Sequence, residues 1–273
     1  MTLMNKPGVA LLYASLLVIS GLLAIPAHAI VNIENIRVEE PKDGISSQIN
    51  IGINGDRGNT DKISAAAAAK LNWRQQRRSS FLVYSQEYGK SNDIKDTDKS
   101  FLHLRYIKDN LGITATEIFT QYQDDEFKRL SGRVLVGAGL RFVLSQAQKG
   151  KRQSANIFGL GAFRSNEDYN DSVISGDRSE NAWRANFYWV YKTRLNAQLK
   201  LANTIYLQPD VSEFDDVRLF DQFALQIKMT EKLSLQLNLD ISHDSKPPTL
   251  STAGQSLDKT DISYSTSFVY NFN

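Results

Sequence analysis

The chain of 273 residues has no cysteine and only six prolines. The absence of cysteine excludes disulfides, thiolate metal sites and a cysteine nucleophile. The scarcity of proline leaves long stretches in which a strand can form without losing a ladder hydrogen bond. Only three histidines are present, His28, His103 and His243, so catalysis or metal binding by imidazole has few candidates. Stability therefore has to come from packing and backbone pairing.

Long apolar runs are also scarce. The one such run extends from Val9 to Ile25, follows a single lysine, Lys6, and precedes the small-x-small tripeptide Ala27-His28-Ala29. This order is typical of a secretory signal peptide, so residues 1–29 are predicted to be cleaved, with an N-terminal membrane anchor as the alternative. No second run reaches roughly 18 apolar residues, which excludes a helical membrane protein.

Excess charge of either sign is absent as well. The formal net charge is +2, and it becomes +1 when Lys6 leaves with the leader, which contains no acid. A chain so close to neutral is not expected to bind nucleic acid. No Pro/Gly/Ser linker divides the remainder, so a short periplasmic segment, residues 30–44, is predicted to precede a single domain, residues 45–273.

What the chain does contain is a series of segments in which apolar and polar residues alternate. In "LSLQLNLDIS", residues 233–242, leucines and an isoleucine occupy one face, and serine, glutamine, asparagine and aspartate occupy the other. Such alternation predicts strands. The alanine run of "KISAAAAAKLNW" is compatible with a helix, but its flanks alternate, so a strand is predicted there too. About twelve strands result, each near the roughly 9–11 residues that cross a bilayer at a tilt.

The connections between these strands alternate in length and charge. Longer acidic ones, such as "GKSNDIKDTD" and "SNEDYNDSVISGDRSE", follow odd-numbered strands, and shorter, mostly basic ones, such as "KTRLN", follow even-numbered strands. A lipocalin-like soluble barrel also alternates along its strands, but this pattern of connections favours an all-β, antiparallel transmembrane β-barrel of about 12 strands. Aromatic girdles are expected from residues near the strand ends, namely Trp73, Tyr106, Tyr122, Trp183, Tyr191 and Tyr264.

The closing strand "DISYSTSFVYNFN", residues 261–273, is expected to pair with the first strand, Ile45 to Gly55, and close the ring. Its aromatic face would then be covered by lipid, because closure leaves no backbone edge and turns the apolar face outward.

Two stretches resemble a known family. "NIGINGDRGNTDK", Asn50 to Lys62, and "EIFTQYQDDEFKRLSGRVLVGAGLRF", Glu117 to Phe142, are similar to the uncharacterised family of salt-induced outer-membrane proteins. The resemblance implies a barrel in the outer membrane of a Gram-negative bacterium. It also implies outer-membrane lipid, lipopolysaccharide and the barrel assembly machinery as partners, the last of these recognising a terminal aromatic residue, here the penultimate Phe272. It supplies no substrate and no catalytic residues.

Charged and amide side chains recur on the polar faces and are the candidate lumen-lining residues. With a cationic majority, they could line a pore that favours anions, or pair with one another and fill the lumen. Twelve strands lie between filled barrels of about eight strands and open barrels of about sixteen, and a filled or very narrow lumen is expected. The candidates are Lys70, Arg105, Glu117, Gln121, Arg133, Arg141, Arg184, Lys200 and Lys228.

No catalytic, cofactor-binding or metal-binding residues are predicted. The glycines of "GAG" and "GLG" lie inside strands, where an inward glycine relieves crowding, and not in the strand-turn-helix context of a phosphate loop. His103 is expected to face the lumen and His243 to lie at a loop mouth. The predicted function is an outer-membrane barrel for envelope structure or salt and stress adaptation. The alternatives are a narrow small-solute channel with a basic lumen and, third, a lipid-modifying enzyme.

Overall fold

Twelve antiparallel strands close into a barrel in the part of the chain that the structure, a computed structural model, describes: residues 43–56, 62–146, 154–251 and 256–272. Each strand pairs with its neighbours in the chain, which confirms the predicted fold and strand number. The strands are β1 (Gly44–Asp56), β2 (Lys62–Gln75), β3 (Arg78–Ser91), β4 (Ile94–Asp109), β5 (Thr114–Asp125), β6 (Leu130–Gln146), β7 (Ser154–Tyr169), β8 (Ser179–Arg194), β9 (Leu199–Pro209), β10 (Val217–Lys228), β11 (Leu233–Asp244) and β12 (Thr260–Phe272).

The predicted leader, residues 1–29, and residues 30–42 of the predicted periplasmic segment lie outside the described residues. The first strand begins at Gly44, one residue before the predicted start of the barrel. Among the described residues, no helix is long and apolar enough to cross a membrane.

The closing strand pairs with the first strand, as predicted. Ser47 lies opposite Phe272, Ile49 opposite Tyr270 and Ile51 opposite Phe268. The alanine run forms part of β2, with Ala67 paired to Ile51 on one side and Gln86 on the other, so the strand prediction is confirmed there as well. Because every described strand is paired on both sides, the ladder presents no open edge.

The connection predicted for "GKSNDIKDTD" is wrong. β3 continues to Ser91 and β4 begins at Ile94, so only Asn92 and Asp93 form the turn. Their φ angles are 50° and 62°, and two successive positive φ values define a type I′ hairpin turn, which asparagine and aspartate tolerate better than most residues. The loop in "SNEDYNDSVISGDRSE" is likewise shorter than predicted, because β7 runs to Tyr169 and β8 begins at Ser179.

The two ends of the barrel differ. We call the end at which odd-numbered strands finish the loop rim, and the end at which even-numbered strands finish the turn rim. Residues 170–178, which include a short 3-10 helix at Ser175–Asp177, and residues 210–216 connect strands at the loop rim. At the turn rim Gln76 and Arg77 alone join β2 to β3. The loop rim thus carries the longer connections 170–178 and 210–216, although the two-residue turn between β3 and β4 lies there as well.

Apolar side chains cover the outside of the barrel, and most inward positions carry polar side chains. Ile53 is 71% exposed and Val136 61%, whereas His103 and Arg105 are at most 2% exposed. The predicted girdle residues occupy outward strand positions near both ends: Trp73, Tyr106 and Tyr191 towards the turn rim, and Tyr122, Trp183 and Tyr264 towards the loop rim. A water-soluble barrel has the reverse distribution, with apolar side chains inside and polar side chains outside.

Candidate functional site: the barrel interior

Large side chains fill one part of the interior. Phe119, Leu135 and Phe163 pack together, and a second cluster contains Tyr188 and Tyr206. These residues come from the strands between β5 and β9, so the packed material lies against one wall.

Inward glycines of β6 and β7 make this packing possible. A Cβ atom on Gly159 would lie 1.9 Å from the Tyr188 ring, and one on Gly137 would lie 2.4 Å from the Phe119 ring. Both distances are far below van der Waals contact, so only glycine leaves room for the rings. The prediction that these glycines relieve crowding is confirmed.

Three of the candidate residues meet in one buried cluster, the Glu117 cluster, which comprises Arg105, Glu117, Arg141 and Tyr188. Glu117 Oε2 lies 3.4 Å from Arg105 Nη1 and 3.6 Å from Arg141 Nη1. The Tyr188 hydroxyl donates to Glu117 Oε1 at 2.8 Å and accepts from Arg141 Nη1 at 3.2 Å. One carboxylate thus serves two guanidinium groups, and burial makes that pairing necessary.

Aromatic rings surround the guanidinium group of Arg105. Its Cζ atom lies 5.3 Å from the centroid of Phe119, 5.5 Å from that of Phe81 and 5.7 Å from that of Tyr188. Within about 6 Å a cation is attracted to the face of a ring, so these rings replace part of the water that Arg105 loses. The Glu117 cluster is therefore a fixed part of the wall.

A second network, the Glu167 network, lies nearer the loop rim. Glu167 is fully buried; it accepts from Arg133 Nη2 at 2.6 Å and from the Tyr169 hydroxyl at 2.9 Å, and it also pairs with Arg218. Arg218 Nε donates in addition to Asp244 at 2.9 Å. Sequence reasoning missed Glu167, because it lies in a stretch taken for a loop. Extending the alternation of "NIFGLGAFR", residues 156–164, by three residues would have placed it inside.

Arg184 extends the Glu167 network along β8. It is fully buried, and its Nη2 atom donates to Asp216 at 2.6 Å and to Glu180 at 3.0 Å. Glu180 also accepts from Arg218 at 3.3 Å, which links the two arginines. Arg133 and Arg184 are thus candidates that pair with carboxylates, as the filled-lumen alternative supposes.

A cavity of about 1190 Å³ occupies the rest of the interior. Asp125 and Lys128 line it at the loop rim, and Gln198 and Lys232 line it at the turn rim. Six candidates line it, namely Lys70, Arg105, Gln121, Arg133, Lys200 and Lys228, whereas Glu117, Arg141 and Arg184 lie behind its surface.

Charge along the cavity is uneven. Near the turn rim, cations outnumber carboxylates among the described residues that line the cavity. The acid there is Glu231, and the cations are Lys70, Arg194, Lys200, Lys228 and Lys232. Lys228 Nζ donates to Glu231 at 2.7 Å, and this hydrogen bond holds the pKa of Glu231 below its usual range. Aspartates are concentrated near the loop rim, at positions 124, 125, 244, 258 and 261.

The two described histidines have different surroundings. His103 lies inside the barrel between the rings of Phe81, Phe101 and Phe119, and its Nδ1 atom is 3.1 Å from Gln121 Oε1. His243 Nδ1 lies 2.8 Å from Thr260 Oγ1 at the loop rim. Over the described ranges, no group of three His, Asp or Glu side chains is placed to hold a metal ion.

Comparison with known proteins gives one family and several barrels. The family described as "Protein of unknown function, DUF481" matches residues 49–272. The NanC porin is 12% identical, with 83% of this chain and 97% of that chain covered and a TM-score of 0.43. The translocator domain of the autotransporter NalP from Neisseria meningitidis is 9% identical, with 84% and 87% covered and a TM-score of 0.39. The beta domain of the Bordetella autotransporter Brka is 10% identical, with 84% and 98% covered and a TM-score of 0.38. No curated protein sequence matches the chain.

Proposed function

Because the chain belongs to the DUF481 family, whose description assigns no activity, we propose a function from the geometry. The protein is a narrow channel in the outer membrane of a Gram-negative bacterium, and it passes small polar solutes with a preference for anions.

The apolar exterior supports the membrane location. In hydrocarbon every backbone group must be paired within the protein, and a closed barrel meets that requirement. Lipid and lipopolysaccharide would cover the outward side chains, and the barrel assembly machinery would insert the chain. Fractionation of the producing cells tests this location, together with a gel on which the folded barrel migrates differently before and after boiling. Recovery of the native protein in the soluble periplasmic fraction would contradict it.

The observation that carries the channel is the extent of the cavity. Residues from both rims line one continuous space, whereas a fully filled barrel would divide it. The Glu117 cluster and the Glu167 network narrow the lumen without occupying the part beside β11, β12 and β1. Cations near the turn rim favour anions there, as rings of charge do in channels.

Conductance of the purified protein in planar bilayers tests the channel. We expect stable single-channel currents and, in a KCl gradient, a reversal potential displaced towards that of chloride. The proposal would be contradicted if the wild-type protein gave no stable currents although its heat-dependent migration showed that it was folded.

The resemblance to salt-induced proteins supports a physiological proposal, that this channel serves adaptation of the envelope to salt. Abundance of the protein and growth of a deletion strain at low and high NaCl would test it, and equal values at both concentrations would contradict it. That the protein is not an enzyme stays a prediction. Release of fatty acid from phospholipid vesicles by the wild type, lost in His243→Ala, would overturn it.

A further inference from the structure

One wall of the cavity consists of short hydroxyl and amide side chains. It is formed by three neighbouring strands, β11, β12 and β1, whose inward residues alternate with the lipid-facing ones. Among the residues of this polar wall are Gln236, Asn238, Ser263, Ser265, Gln48 and Asn50, all of which line the cavity. Asp240, opposite Ser263, is the charged residue between Gln236 and Ser242 on β11, so the wall offers hydrogen bonds more than it offers ion pairs.

The amides of the polar wall are held in fixed orientations. Gln236 Nε2 donates to Asn238 Oδ1 at 2.7 Å, and Asn238 Nδ2 donates to Ser265 Oγ at 3.1 Å. On β1 the same spacing recurs, with Gln48 Nε2 donating to Asn50 Oδ1 at 2.7 Å. Each such bond uses one of the two N–H groups that an amide carries, so further donors and acceptors remain for a solute. Their preorganisation lowers the entropy lost on binding.

Aromatic rings line the opposite side of the same cavity. In a ring of twelve strands, β5 lies across from β11 and β7 lies across from β1. Phe101 of β4, Phe119 of β5 and Phe163 of β7 line the cavity on that side, but Phe119 and Phe163 are at most 7% exposed, and Phe101 is the partly exposed ring of the three. A solute in the lumen therefore has hydrogen-bonding groups on one side and the ring of Phe101 on the other.

We infer that the solute of this channel is a saccharide. A sugar ring carries hydroxyl groups around its edge and C–H groups on its faces, so its edge matches the polar wall and a face can contact the partly exposed ring of Phe101. Binding sites typically combine such apolar surfaces with a few placed polar groups. The inference rests on the proposed channel and adds a substrate class to it.

Current block by maltose in planar bilayers tests this inference. We expect maltose at millimolar concentration to interrupt the current reversibly, and a polyethylene glycol of equal hydrodynamic radius, which has no hydroxyl groups along its chain, to interrupt it far less. The variant Gln236→Leu with Asn238→Leu should raise the half-blocking concentration by roughly fivefold, about the effect of losing an uncharged hydrogen bond. The lipid-facing control Leu237→Val on the same strand should leave it unchanged.

The open-channel current tests the proposed channel, and its block by maltose tests the saccharide inference. Equal block by maltose and the polymer, or a double variant that blocks like the wild type, would overturn the saccharide inference and leave the channel standing. If folded protein gives no current, equilibrium dialysis of radiolabelled maltose against the protein in detergent decides the matter. Binding that is weakened in the double variant would then support a saccharide site in a closed barrel, and no binding would overturn both proposals.

Discussion

Side-chain volume decides which half of the barrel interior is open. The inward positions of β6 and β7 carry glycine where the rings of Phe119 and Tyr188 lie, while those of β11 and β12 carry serine, asparagine and glutamine beside the cavity. The rings of Phe119 and Tyr188 extend over β6 and β7 because the glycines of these strands carry no side chain. A larger side chain at one of these glycines should therefore disrupt the packed half of the interior.

Replacement of Gly159 by valine is the sharpest test of this packing. The new Cβ would overlap the Tyr188 ring, so the ring has to move and its hydroxyl leaves Glu117. We expect a loss of about 1–3 kcal/mol, the usual cost of overpacking a core. Urea unfolding in detergent micelles measures it. The control Leu160→Val changes the next, lipid-facing residue and should have a much smaller effect; equal losses would contradict the packing role.

The pairing of the Glu117 carboxylate with two arginines leads to a second prediction. Glu117→Gln keeps an acceptor for the Tyr188 hydroxyl but removes the charge that Arg105 and Arg141 share, and breaking a buried pair costs about 3–5 kcal/mol. The double variant Glu117→Gln with Arg105→Met should recover part of the loss, because it also removes a buried cation. Unfolding midpoints of the three proteins measure this. The exposed Glu231→Gln is the control and should change the midpoint little.

At the scale of elements, alternation predicted the strands well where lipid and lumen impose it. The faces of β11 and β12, and the strand through the alanine run of β2, followed from period two alone. Alternation failed at the β3–β4 hairpin, since Lys90, Asn92 and Asp96 lie towards the loop rim, where water covers both faces and no apolar stripe is required. Glu167 also lies towards the loop rim, and for the same reason the sequence predicts a loop there.

The pairing between β1 and β12 can be tested by a disulfide cross-link, because the chain contains no cysteine that would compete for it. Ile49 and Tyr270 lie directly opposite each other. Opposed residues have Cα atoms about 4.5–5.5 Å apart, within the range that a disulfide spans. The variant Ile49→Cys with Tyr270→Cys should therefore form a disulfide on oxidation, seen as a migration shift on a non-reducing gel. In the control Ile53→Cys with Tyr270→Cys the partners lie about 13 Å further along the strand. Equal cross-linking of both pairs would refute the register.

At the scale of the whole molecule, sequence reasoning predicted the barrel and the inward faces but not the division of its interior. Parity places Arg105, Arg184 and Lys200 inside, yet it does not say which of them reaches a carboxylate. Arg105 and Glu117 lie diagonally on the neighbouring strands β4 and β5, but Tyr188 reaches Glu117 from β8, and that second contact depends on the curvature of the closed ring. The asymmetry between a packed wall and a polar wall is likewise a property of all twelve strands together.

Uneven charge along the lumen leads to the last prediction. If cations near the turn rim set the preference for anions, the variant Lys200→Gln with Lys228→Gln should lower the chloride-to-potassium permeability ratio, read from reversal potentials. The preference should also shrink as salt rises, because the Debye length falls from about 10 Å at 0.1 M to about 3 Å at 1 M. Lys108→Gln, which changes an outward lysine near the same rim, is the matched control. A double variant with the wild-type ratio at 0.1 M would show that the charges of Lys200 and Lys228 do not govern selectivity.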